Sequence, residues 1–140
     1  MKRIASITLG VLASLAAVGS AFAQDHAVKA TVPFGFYVGN KWLPSGTYEM
    51  TSDSRDPDVI RILNAKGVVE MLSLAETDDH RSKTGTLVFR KYGDQYFLHE
   101  ILSSAGHMNV SFHNSKREKW AQTHETAIVS APSTVYLALK

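Results

Sequence analysis

The chain has no cysteine. That absence removes disulfide cross-links, thiol nucleophiles, cysteine-based zinc sites and lipid attachment through a cysteine. Stability must then rest on an apolar core. Proline is scarce, with four in 140 residues, and each one marks a strand end or a turn. No Gly-rich loop leads into a helix start, no Gly-x-Ser-x-Gly surrounds a serine, and no His-Glu-x-x-His pairs two histidines on one helix face. Neither charge dominates: 15 basic side chains stand against 13 acidic ones. Such a balance offers no basic stripe for nucleic acid. Beyond the N-terminus no apolar run approaches the ~20 residues of a spanning helix.

What is present begins with an export signal. Lys2 and Arg3 precede a run, Ile4–Val18, that is apolar apart from Ser6, Thr8, Gly10 and Ser14. Ala21-Phe22-Ala23 then places small residues three and one positions before a cleavage point. This is the order of a secretory signal peptide. The sequence predicts cleavage of residues 1–23, a single β-rich domain over 24–140, and a periplasmic or secreted protein with no membrane span after cleavage. Lys2 and Arg3 account for the whole basic excess, so the remaining domain is formally neutral.

Thr86–Leu102 organises that domain. Two apolar runs, Leu87–Phe89 and Tyr96–Leu98, flank Tyr92-Gly93-Asp94-Gln95. Glycine at the first central position suits a type II′ hairpin turn, which needs a positive φ there. A two-residue turn pairs Phe89 with Leu98 and Arg90 with Phe97. Leu87, Phe89, Tyr96 and Leu98 then share the core face, with Arg90, Phe97 and His99 on the other.

The other segments read as strands added to this hairpin. Val28–Phe34 alternates, and Pro33, which cannot donate to a ladder, ends this strand or places it at an edge. Phe36 and Val38 continue the apolar set, Gly39-Asn40 turns, and Leu43–Gly46 turns again before Thr47–Thr51, with Tyr48 and Met50 inward. Val59–Leu63 and Val68–Leu74 form a second hairpin, and Thr126–Val129 and Val135–Leu139 close the chain as strands. Thr77–Lys83 is a charged loop. Ser115-Lys116-Arg117-Glu118 fits a capping box and predicts a helix to His124 that buries Trp120 and Ala121. The expected fold is mostly β: one antiparallel barrel or sandwich-like domain of about seven or eight short strands with one helix in the C-terminal half. An outer-membrane barrel is the alternative, although its strands of about 9–11 residues exceed most of these.

Val32–Met50 and Leu87–Ile101 together resemble a family of small exported bacterial proteins. Its Val-Pro-Phe-x-Phe, Leu-Pro-x-Gly-x-Tyr and Tyr-Gly-Asp-x-Tyr-Phe-Leu motifs match Val32–Phe36, Leu43–Tyr48 and Tyr92–Leu98, and its basic helix start matches Ser115–Glu118. The resemblance implies an exported β-rich domain. It brings no activity, ligand or catalytic residue with it, because its motifs are turn and core residues.

The remaining chemistry is sparse. Six histidines lack metal-ligand spacing, and Asp53, Asp56 and Asp58 lack the glycine and terminal glutamate of a calcium loop. No metal and no cofactor are expected. Tyr37 and Trp42 sit in the densest aromatic stretch, where a rim position suits a sugar or a partner protein. With His99 they are the candidate ligand-binding residues. Export, neutrality and missing catalytic motifs point to a non-enzymatic domain that binds a small ligand or a cell-envelope partner. The competing reading is a small hydrolase of envelope polymer that uses a histidine and a carboxylate. A cavity where histidines and carboxylates converge would favour the latter.

Overall fold

The computed structural model describes residues 26–52, 55–77, 83–104, 108–125 and 132–140. The signal segment, the expected strand over Thr126–Val129 and most of the charged loop after Thr77 lie outside them.

The fold is mostly β, with eleven strand segments and one helix among the described residues. Seven strands are long: β1 (His26–Val32), β4 (Gly46–Ser52), β5 (Val59–Asn64), β6 (Val69–Leu74), β8 (Thr86–Tyr92), β9 (Gln95–Leu102) and β11 (Ser133–Ala138). The other four, β2 (Phe36–Val38), β3 (Lys41–Leu43), β7 (Glu76–Thr77) and β10 (Asn109–Ser111), span two or three residues each. The helix α1 (Lys116–Glu125) falls between β10 and β11.

Two sheets result, antiparallel at every pair except β2 with β9, which run parallel. The first has the order β1-β4-β5-β6; the second runs β11-β8-β9-β10-β7, with β2 beside β9 and β3 beside β2. The sheets are joined at both sides. Lys140 N–H donates to the Lys29 carbonyl at 2.8 Å, which ties the chain end to β1. On the other side β6 passes through buried Ala75 into β7. One sheet curls as half a barrel around a shared interior.

Alternation along each strand fills that interior. Ala30, Val32, Tyr48, Met50, Ile60, Ile62, Leu87, Phe89, Leu98 and Ile101 all point inward and are buried. Phe36 meets Phe89 edge-on at 5.4 Å, and Phe34 stacks on Tyr96 at 3.9 Å. Truncating a buried ring such as Phe89 to alanine costs about 3–5 kcal/mol. Outward positions of β1 and β4 carry polar groups, for example the Lys29–Glu49 ion pair at 3.0 Å, whereas β6 exposes Leu72 and Leu74. A packed apolar interior shared by two sheets differs from the single closed sheet with a polar lumen of a transmembrane barrel. Among the described residues no helix is long and apolar enough to cross a membrane.

The central hairpin has the expected register: Tyr92 pairs with Gln95, Lys91 with Tyr96, Arg90 with Phe97 and Phe89 with Leu98. Gly93 holds φ at +57°, and among the described residues positive φ occurs only at glycine. Past the Phe89–Leu98 pair the ladder departs from regular alternation, and no turn residue or spacing marks the step. The register shifts between Val88 and Phe89, so that Val88 faces Glu100 and Leu87 faces Ile101. His99 is the additional residue of a β-bulge.

The helix begins as expected, with Ser115 Oγ accepting the Glu118 N–H at 3.1 Å. Its buried face differs from the expectation. Ala121 is buried, yet Trp120 is 51% exposed and stacks on His124 at 4.3 Å. One helical step is about 100°, so neighbours 120 and 121 cannot both face the sheet squarely. Glu118, three positions before Ala121, takes the second buried place.

Candidate functional site

The second sheet has an inner face on the core and an outer face that α1 covers only in part. Over the hairpin tip, Ala121 packs on Tyr92 and Phe97, with Tyr37 alongside. Tyr37 stacks on Phe97 at 5.1 Å, and the Arg117 guanidinium lies 4.4 Å above the Tyr37 ring. Polar contacts fasten the helix around this small cluster. Arg117 N–H donates to Asn40 Oδ1, Arg117 Nη2 donates to Gln95 Oε1, and Gln95 Nε2 donates to Glu125 Oε1.

Glu118 is the buried charge beneath the helix. Its Oε1 accepts from Tyr92 Oη at 3.4 Å and lies 3.9 Å from Arg90 Nη1. Burial pushes this carboxyl above the usual glutamate value, against the pull of Arg90 and of the Tyr92 hydroxyl. Burial also raises the Tyr92 phenol, and the neighbouring Glu118 charge adds to that.

Beyond Glu118 the outer face opens. Arg90 Nη1 donates to Asn114 Oδ1 at 3.0 Å, and Arg90 Nη2 meets His99 Nε2 at 2.6 Å. Arginine can only donate, so that His99 nitrogen is the acceptor. Glu100 Oε1 stands 3.3 Å from the same nitrogen. The bulge produces this arrangement, because it sets two consecutive β9 residues, His99 and Glu100, opposite the single residue Val88, on the outer face that Arg90 also occupies.

His99 forms a wall between two open depressions. One, of about 410 Å³, is lined by Glu76, His99, Ser111, Phe112, His113, Asn114 and Lys119. The other, of about 380 Å³, is lined by Val88, Arg90, His99, Glu100, Leu102, Thr134 and Tyr136. In the first, His113 pairs with Glu76 at 3.0 Å, and both side chains are exposed. Among the described residues no three histidine, aspartate or glutamate side chains gather as a metal site.

The three sequence-predicted residues share one sheet and occupy different places on it. His99 is central. Tyr37 is covered by Arg117 and serves as packing for α1. Trp42 faces Tyr37 across the β2–β3 ladder and is 54% exposed. Its indole lies on Gly35, where an added Cβ would meet the ring at 2.8 Å. Neither Tyr37 nor Trp42 lines the depressions beside His99. Arg90, Glu100 and Tyr136 were missed as site residues because each reads as an ordinary outward position of a strand. Comparison with family models, curated proteins and solved structures found no match.

Proposed function

We propose that this chain is an exported, non-enzymatic binding domain whose ligand is a small molecule or a component of the cell envelope. The observation that carries the reading is His99, set by a bulge at the meeting of two surface depressions. Arg90 beside it is engaged with His99 and Asn114, as in a preoriented recognition surface. The interior is packed with side chains, so the ligand meets the outer face of the second sheet. Trp42 extends that surface at its margin. Its ring is exposed yet seated on Gly35, and a ring with little freedom to lose loses little entropy on binding.

Co-sedimentation with isolated cell envelope tests the reading. The protein is expected to pellet with the envelope, and His99→Ala and Trp42→Ala are each expected to return it to the supernatant. Wild-type protein that stays soluble overturns the envelope-partner form.

A second reading, hydrolysis of envelope polymer, draws on the depression that gathers His99, His113 and Glu76. It requires that purified protein clear a suspension of the polymer and that His113→Ala abolish the clearing.

A further inference from the structure

We propose that the open half of this outer face, between the start of α1 and edge strand β11, is a binding groove for a neutral saccharide. The inference rests on the binding reading above and names its ligand class.

A sugar ring presents an apolar C–H face and an edge of hydroxyls. The groove supplies a partner for each. Tyr136 on β11 stands across the ladder from Val88 and is 68% exposed. Leu102 joins Val88 in the apolar floor. An exposed aromatic ring beside aliphatic carbons is the surface a C–H face packs on.

The hydroxyl edge needs donors and acceptors side by side. Arg90 offers a planar donor fork, and Glu100 offers two acceptor oxygens. Arg90 is already oriented by Asn114 and His99, so little side-chain freedom remains to be lost on binding. One guanidinium and one carboxylate leave the groove without a charge preference. An anion would meet Glu100, and a cation would meet Arg90. A neutral polyhydroxyl ligand meets both favourably.

Size agrees as well. The depression of about 380 Å³ lies in the range of about 300–1,000 Å³ common for small-ligand sites. Its neighbour continues on the far side of His99, so the shape suits a linear oligosaccharide that crosses that side chain.

Calorimetric titration with N,N′-diacetylchitobiose, cellobiose and maltotriose, and with trigalacturonic acid as an acidic comparator, tests the proposal. At least one neutral sugar is expected to bind saturably, and more tightly than the acid. Tyr136→Ala and Glu100→Gln should each weaken that sugar by about tenfold or more, ~1.4 kcal/mol. Tyr136→Phe, which keeps the ring, should restore binding, and Trp120→Ala, an exposed aromatic outside the groove, should leave it unchanged. The proposal falls if no neutral sugar binds, if the acid binds more tightly, or if Tyr136→Ala binds as wild type does. Loss of sugar binding alongside intact, His99-dependent envelope co-sedimentation would remove the saccharide class alone. Absence of co-sedimentation would remove only the envelope-partner form of the binding reading and leave the sugar titration to decide the saccharide class.

Discussion

Leu87 stands directly across the β8–β9 ladder from Ile101. A regular ladder continued from the Phe89–Leu98 pair would set Leu87 against Glu100 instead. It would bury a carboxylate and turn Ile101 outward, since strand faces alternate. One additional residue, His99, restores the phase. The same bulge that keeps Ile101 in the core places His99 and Glu100 together beside Arg90 on the outer face.

Deleting a residue from the middle of a strand normally turns every later side chain to the wrong face. Deletion of His99 is expected to be the exception, because it makes the ladder regular while keeping Val88 opposite Glu100 and Leu87 opposite Ile101. The variant should keep its far-UV circular dichroism and lose about 2–4 kcal/mol, through the missing Arg90 contact and through the Phe112 N–H that loses the His99 carbonyl. Deletion of Arg90 from β8 should unfold the protein, because Phe89 would then face Phe97. A His99 deletion that fails to fold would contradict the bulge assignment.

The absence of native cysteine permits a direct probe of register. Opposed strand residues hold Cβ atoms about 4.5–5.5 Å apart, close to disulfide range. The Phe89→Cys, Leu98→Cys pair should oxidise in air, and the Phe89→Cys, Phe97→Cys pair should not. Mass spectrometry with and without reductant separates the outcomes.

Glu118 makes stability depend on pH with a definite sign. Its folded carboxyl titrates above the unfolded one. Between the two values the native state holds a proton that the unfolded chain has released, so this group's contribution declines as pH rises through the window. It is fully present below the ordinary glutamate range. Glu118→Gln keeps a polar group for Tyr92 and removes the titration. Its melting temperature should exceed that of wild type at neutral pH, and the difference should shrink on acidification. A difference that grew toward low pH would reverse the assignment.

Gly35→Ala should unseat the Trp42 indole, which an added Cβ would approach to 2.8 Å. Overpacking of this kind costs about 1–3 kcal/mol. The chain has two tryptophans, so a Trp120→Phe background isolates the signal. The Trp42 emission should shift to longer wavelength in the alanine variant, and envelope co-sedimentation should weaken with it. Unchanged emission would mean that the ring is not held by Gly35.

Much of the fold is written in local pattern. Period-two alternation placed Tyr48, Met50, Ile60, Ile62, Leu87 and Phe89 inward, because one face of each strand must leave water. Gly93-Asp94 chose the hairpin turn and with it the register as far as Leu98, since only glycine enters positive φ without strain. Ser115 marked the helix start through a side-chain oxygen that accepts a nearby N–H.

The outer face had no such local mark. The bulge at His99 exists because Ile101, not Glu100, can be buried opposite Leu87, and that comparison involves two strands at once. Trp120 is exposed although its hydrophobicity predicts burial. The sheet admits only one side of α1, and there Glu118 with Ala121 fits over Tyr92 and Phe97. Arg90 and Glu100 sit on the two arms of one hairpin, and Tyr136, 36 residues beyond Glu100, joins them only when β11 pairs with β8. Residue type and spacing determined which way each strand faces; tertiary pairing alone decided which outward-facing side chains stand together.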